Sequence, residues 1–179
     1  STDGSYELIT GFAQTDERIR VISQENGGIS KALNTGISSS SGEYIARLNQ
    51  DDLSESDRLQ IQKDFLDGHQ DIIAVGTFAV SIDSNGNPLY YIKSPTNHED
   101  IDREMINGPI RATMVSSSVM MRRSAFEQIG GYNSELDGSS DRDYWLRLAE
   151  IGKLANIPKP LVRFRLHPQS ISSTKSDMQ

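Results

Sequence analysis

Cysteine is absent from the 179 residues. Without thiols the chain can form no disulfide framework, no thiolate zinc site and no thiol nucleophile, and a reducing, cytoplasmic setting fits such usage. Positive charge is scarce. Eighteen Lys and Arg against 25 Asp and Glu leave a formal charge of -7, and a phosphate backbone needs clustered cations, so nucleic acid is not the partner. Long apolar runs are missing too. None approaches the roughly 20 residues of a membrane span, so membrane contact is at most peripheral. Ser1 begins neither a signal peptide nor a normal initiator. Aromatic residues are few at 7 %, yet a hydrophobic share of 35 % is ordinary for a globular chain and too high for wholesale disorder. No internal repeat and no long linker divides the chain. The expectation is one domain over residues 1–169, followed by a polar, aperiodic tail at 170–179 that reads as flexible.

Hydrophobic spacing gives the order of elements. Ser1-Thr2-Asp3-Gly4 is a helix-start signal, and Tyr6, Ile9 and Ala13 follow at helical spacing. Ile19–Ser23 reads as a strand. Ile29, Leu33 and Ile37 form one stripe of a second helix, Glu43–Leu48 reads as a strand running into Asn49-Gln50-Asp51-Asp52, and a third helix holds Leu59, Gln62 and Leu66. This alternation predicts an α/β unit with a parallel sheet. Farther on, 72–75 and 77–82 are β-rich, and the turn at 83–87 leads to a hairpin partner at 89–92. Thr96 with Glu99 reads as a capping box for a helix over 97–107. Ser117–Met121 is a candidate strand, Ser124–Ile129 a short helix stopped by Gly130-Gly131, and Asp141–Glu150 a helix carrying Trp145. Pro158 and Pro160 bracket an extended segment before a last strand, Leu161–Leu166.

Several residues can carry chemistry. Asp51 and Asp52 follow a strand, where open α/β sheets bind ligands, and oxygen donors suit a hard divalent cation. The competing reading is that they favour the next helix through its dipole. Asp141 is either a plain N-terminal acid of its helix or a general base at a cleft edge. His69 and His98 read as solvated side chains. Arg163, Arg165 and His167 share one strand face by alternation, which either meets phosphates or is a solvated edge. Gly27-Gly28 before the second helix resembles an anion-binding helix start, without a GxGxxG or full P-loop pattern.

Taken in order, these segments resemble the family 2 glycosyltransferases of the GT-A fold. Ser1-Thr2-Asp3-Gly4-Ser5 is similar to the tail of that family's Asp-Asp-Gly-Ser-Thr-Asp-Gly loop. Glu25 to Ile37 resembles the stretch along the nucleotide, and Gly42 to Asp52 with Arg58 and Gln62 resembles the segment containing the metal-binding DxD. Gly130-Gly131-Tyr132 and Asp141 to Leu148 resemble the acceptor side with its catalytic acid. Asn156-Ile157-Pro158 and Arg163 to His167 complete the series. The resemblance implies a Rossmann-like mixed, mainly parallel sheet flanked by helices. It implies inverting transfer of a sugar from a nucleotide-diphosphate donor to a hydroxyl of a saccharide or lipid-linked acceptor, in surface polysaccharide or lipid-linked oligosaccharide synthesis. By the same resemblance Asp51 binds Mn2+ or Mg2+, His167 adds a contact to metal or diphosphate, Lys31, Asn34 and Asp52 hold the nucleotide-sugar, and Asp141 is the base.

The chain departs from the family pattern at Asn49, where the first Asp of DxD stands, at Ser140, where a Glu is usual, and at Ser116-Ser117, where His-Pro is common. The resemblance also implies that the family's opening strand-helix-strand precedes Ser1. The 179 residues alone are then expected to lack half of the nucleotide pocket, to have little activity by themselves, and to form homodimers through exposed strand edges. A sugar nucleotidyltransferase shares the α/β start, but the 130–148 segment favours transfer. An aspartyl phosphatase is disfavoured by Asn49. A nucleotide-sugar-binding module that has lost catalysis is the remaining alternative.

Overall fold

The computed structural model describes residues 3–108, 113–136 and 138–166. His167 and the 170–179 tail lie outside the described residues. The elements run α1 (Ser5–Thr15), α2 (Gly28–Ser39), β1 (Tyr44–Ala46), β2 (Leu53–Ser54), α3 (Arg58–Gly68), β3 (Ile72–Ile82), β4 (Pro88–Ile92) and α4 (His98–Asn107), then a 3-10 turn at Ser116–Ser118, β5 (Met120–Arg122), α5 (Arg123–Ile129), α6 (Ser140–Ala149) and β6 (Lys153–Arg165).

The sheet has the order β1-β5-β3-β6-β2, with β4 also on β3. Its axis is the β3/β6 ladder, parallel from Ile72 opposite Lys153 to Ile82 opposite Arg165. On the other edge of β3, β5 pairs with Ala74 and Val75, and β4 pairs with Ala79 to Ile82. Both faces of β3 are covered, which is why it is apolar at nearly every position. Ala74 packs with Ile101 and Met105 of α4 and Tyr144, Trp145 and Leu148 of α6, while its neighbour Val75 packs with Leu66 of α3.

Three expectations need correction. The sheet is mixed, but among the described residues parallel pairing is confined to β3/β6: β5 enters between β1 and β3 antiparallel to both, converting the pair that simple alternation suggested into two antiparallel ladders. Ile19–Ser23 forms no strand among the described residues, since β1 ladders only with β5 and the segment meets no row of backbone donors and acceptors. The last strand begins at Lys153 rather than Leu161. Pro158 and Pro160 do not end it, because the β3/β6 register shifts beside Thr77 and Phe78, and such bulges admit residues without an N–H.

Smaller local causes are visible as well. The cap of α4 is Asn97, whose Oδ1 accepts from Asp100 N at 2.9 Å, not Thr96. Gly130 ends α5 with φ +78, a left-handed conformation that favours glycine. Gly76 lies where β3 passes the Asn156 side chain, and a Cβ there would meet Asn156 Oδ1. Helix α1 has no buried residue, and Tyr6, Leu8, Ile9 and Phe12 are exposed. No helix among the described residues is long and apolar enough to cross a membrane.

Tyr132 and Tyr144 stack with ring centroids 4.0 Å apart, and Trp145 meets both edge-on. Burial pushes the Tyr132 phenol up to about 12 and raises Tyr144 as well. An acid with a raised folded pKa contributes stability below its unfolded value, lost as pH rises through the folded value. In an ultraviolet phenolate titration these two tyrosines are expected to stay protonated above about pH 10 and to ionise only with loss of the folded Trp145 signal. Ionisation of all six tyrosines in one step below unfolding would contradict this packing.

Candidate active site

Of the residues singled out in the sequence, Asp51, Asp141 and Arg165 come together beyond the end of β1. Asn49, Asp51, Arg47, Ser116, Asp141 and Arg165 all line one open cavity of about 1420 Å³. Asp51 and Asp141 thus share a hollow large enough for a sugar, although ninety positions separate them in the chain.

Asp141 lies in the first turn of α6, where the helix dipole favours an anion. Arg47 NH1 donates to its Oδ1 at 2.5 Å and Ser116 Oγ to its Oδ2 at 2.5 Å. The Arg47 side chain is 13 % exposed and that of Asp141 37 %, so the cation is enclosed while the carboxylate opens to the cavity. Burial would lower the Arg47 guanidinium, but the Asp141 carboxylate and Tyr132 beside it outweigh this and hold it above its ordinary value. The Arg47 guanidinium also lies 5.7 Å from the Tyr132 ring centroid.

Asp52 has a different environment. It is buried, accepts from Ser117 Oγ, from Arg165 N at 2.8 Å and from Asn49 Nδ2 at 3.3 Å, and burial pushes its carboxyl above the usual carboxylate range against those hydrogen bonds. Its oxygens are therefore engaged in holding the loop after β1 to β6 and the 3-10 turn. Arg165 completes this link, donating from Nε to Asp51 O at 2.9 Å and from NH1 to Asp83 O and Ser84 O at 3.0 Å. Arg163 instead pairs with Glu55 at the surface, at 2.8 Å.

Beneath the site Arg58 is buried among neutral acceptors. Its Nε donates to Gln62 Oε1 at 2.8 Å and its NH2 to the carbonyls of Arg47 at 2.8 Å and Val119 at 3.4 Å, while Gln62 Nε2 reaches Val75 O and Ser118 O. Burial lowers the Arg58 guanidinium to about 10. This pair fixes the backbone from which Arg47 projects.

Asn34 and Lys31 stand apart from the cavity's polar wall. The Asn34 amide is committed to the backbone of Tyr132, donating to its carbonyl at 2.9 Å and accepting from its N–H at 2.8 Å, with Gly131 close enough that a Cβ would meet it. Lys31 is exposed on α2, its stem over Gly27, and does not line the cavity. His69 stacks on Phe65 and His98 lies 3.4 Å from Leu154 N. Arg47, Ser116 and Ser117 went unassigned in the sequence. The available signal was an arginine within the strand reading 43–48, between Ala46 and Leu48.

No group of three or more His, Asp or Glu gathers at one point among the described residues. Asp51 lines the cavity, and Asp52 has its oxygens engaged by hydrogen bonds. That donor set suits a divalent cation held by one carboxylate and by oxygens of a diphosphate and water, as Mg2+ often is, rather than a cation in an all-protein cage.

Residues 1–130 match the family Glycosyl transferase family 2, and the chain belongs to it. It is 28 % identical over 180 residues to a chondroitin synthase of Pasteurella multocida, covering 100 % of this chain and 18 % of that protein. Among solved structures, S. aureus TarS 1-349 in complex with UDP-GlcNAc superposes with a TM-score of 0.74 at 17 % identity, over 97 % of this chain and 49 % of that one. The mannosyltransferase PcManGT from Pyrobaculum calidifontis, in complex with GDP-Man and Mn2+, gives a TM-score of 0.65 at 19 % identity, over 98 % and 48 %. The fold is that of GT-A glycosyltransferases. The chain spans about half the length of these structures and less than a fifth of the chondroitin synthase.

Proposed function

We propose that this chain is the catalytic part of an inverting glycosyltransferase that moves a sugar from a nucleotide-diphosphate donor to a hydroxyl acceptor. The observation that carries the reading is the single cavity lined by both Asp51 and Asp141. Asp141 takes the proton of the acceptor hydroxyl as its oxygen bonds to C1 of the sugar. The bond from C1 to the diphosphate oxygen breaks on the opposite face, and its electron pair leaves with the diphosphate. Asp51 would hold a divalent cation, which neutralises charge on the departing diphosphate when bound. Asn34 and Asp52 support the donor indirectly, through the Tyr132 loop and the loop after β1. Lys31 meets the donor only where it reaches the start of α2, and His167, two positions beyond Arg165, is retained as a contact to cation or diphosphate.

Family membership and the likeness to a chondroitin synthase support a role in surface polysaccharide or lipid-linked oligosaccharide assembly at the cytoplasmic membrane face. The second reading, a binding module without catalysis, draws on Asn49 at the place of an anionic ligand. Titration calorimetry of UDP and GDP into the full-length protein, with and without Mn2+, separates the two. Binding that requires Mn2+ is expected. Metal-independent binding would favour the module, and absence of binding by either nucleotide would sink both readings.

A further inference from the structure

Arg47 is held on every side. Besides Asp141, its guanidinium reaches Asn49 Oδ1 from Nε at 3.4 Å and from NH2 at 3.3 Å. Its backbone N donates to Val119 O at 2.9 Å, and its carbonyl accepts from Arg58 NH2 at 2.8 Å. A guanidinium is a planar fork of five donors, so its charge serves whichever oxygen acceptors stand in that plane. Here these are the carboxylate of Asp141, the neutral amide oxygen of Asn49 and, from NH1 at 3.5 Å, the Tyr132 hydroxyl.

The amide at position 49 does two things at once. It accepts from the Arg47 cation, and it donates from Nδ2 to Asp52 Oδ2 at 3.3 Å. An amide can join a cation to a carboxylate in this way because it carries an acceptor oxygen and N–H donors on one planar group. A carboxylate in the same place would compete with Asp141 for the guanidinium and would face the buried Asp52 as a like charge.

We propose that Arg47 is the positioning residue for Asp141, and that the neutrality of Asn49 is what leaves the guanidinium to Asp141. The proposal rests on the reading of Asp141 as the base. With Arg47 on Oδ1 and Ser116 on Oδ2, the carboxylate is fixed in one plane before an acceptor arrives, and each oxygen keeps a second lone pair for the incoming hydroxyl. Asn49 is on this account a working part of the base assembly. Restoring an acid with Asn49→Asp then harms the site.

The test uses the full-length protein and its Arg47→Met, Arg47→Lys, Asn49→Asp and Asp141→Asn variants. Three quantities are read: affinity for UDP and GDP with Mn2+, nucleoside-diphosphate release from UDP-GlcNAc and GDP-mannose resolved into kcat and KM, and the 15N–1H resonance of Arg47 Nε. Arg47→Met is expected to lower kcat by about 100-fold with KM for the donor within about twofold, and Arg47→Lys to recover about a tenth of the wild-type rate. Asn49→Asp is expected to lower kcat by about tenfold and to move the Arg47 resonance, as Asp141→Asn does. A wild-type kcat in Arg47→Met, a raised kcat in Asn49→Asp, or an Arg47 resonance that ignores both carboxyl changes would overturn the proposal. If the wild type neither binds nor turns over these nucleotides, the transferase reading fails by itself. The resonance of Arg47 in Asp141→Asn and Asn49→Asp then still decides whether the guanidinium is shared as described.

Discussion

Sugar transfer by the Asp141→Asn variant is expected to fall by about 1000-fold, within the range general-base removal usually costs, while melting temperature and nucleotide affinity stay at wild-type values. The asparagine oxygen still accepts from Arg47, and the Ser116 hydroxyl can turn to accept from the new amide. The assembly keeps its shape and loses only the group that takes the proton. Asp141→Ala is a poorer test, since it strands the enclosed Arg47 cation without its partner and mixes a folding defect with a chemical one. Measurement of kcat and KM on the full-length protein decides the matter. A transfer rate within tenfold of wild type would remove Asp141 from the proton-transfer role.

The second large effect is on stability. Arg58→Met is expected to destabilise the fold by about 3 kcal/mol, because stranded buried acceptors cost about 1–3 kcal/mol each and loss of a poorly solvated charge returns part of that. The acceptors left behind are Gln62 Oε1 and the carbonyls of Arg47 and Val119. Burial already lowers the Arg58 guanidinium to about 10, so the offset is real. Urea denaturation at neutral pH measures the difference. An unchanged midpoint would mean that charge burial cancels the hydrogen bonds, and Arg58 would then matter for the placement of Arg47 alone.

The sequence disclosed the elements that local spacing controls. The stripe Ile29, Leu33, Ile37, the β-rich run through Val75 and the helix carrying Trp145 fold as their periodicities require. What it concealed depends on partners far along the chain. Ile19–Ser23 has strand composition but no ladder, and β6 continues through two prolines because β3 lies beside it with shifts in register. The site divides in the same way. Asp51 and Asp141 were legible through the family resemblance, since on residue type alone a carboxylate after a strand or at a helix start has a plain helix-dipole reading, and both line the same cavity. Arg47 and Ser117 were not, since the contacts of Arg47 with Asp141 and of Ser117 with Asp52 cross 94 and 65 residues. Ser116, Ser117 and Asn49, which break the family pattern one at a time, make sense only as neighbours in space.

The β3/β6 ladder joins residues 72–82 to residues 153–165. A parallel pair so distant must close a long loop before any of its backbone bonds form, which makes such topologies slow to assemble. During synthesis the apolar β3 waits for its main neighbour until nearly the whole of this region has left the ribosome. The Asp52 carboxylate, whose Oδ1 accepts from Arg165 N, cannot be settled before then. The loop after β1 is therefore among the last parts of the molecule to acquire its final form, although it is encoded in the first third of these residues.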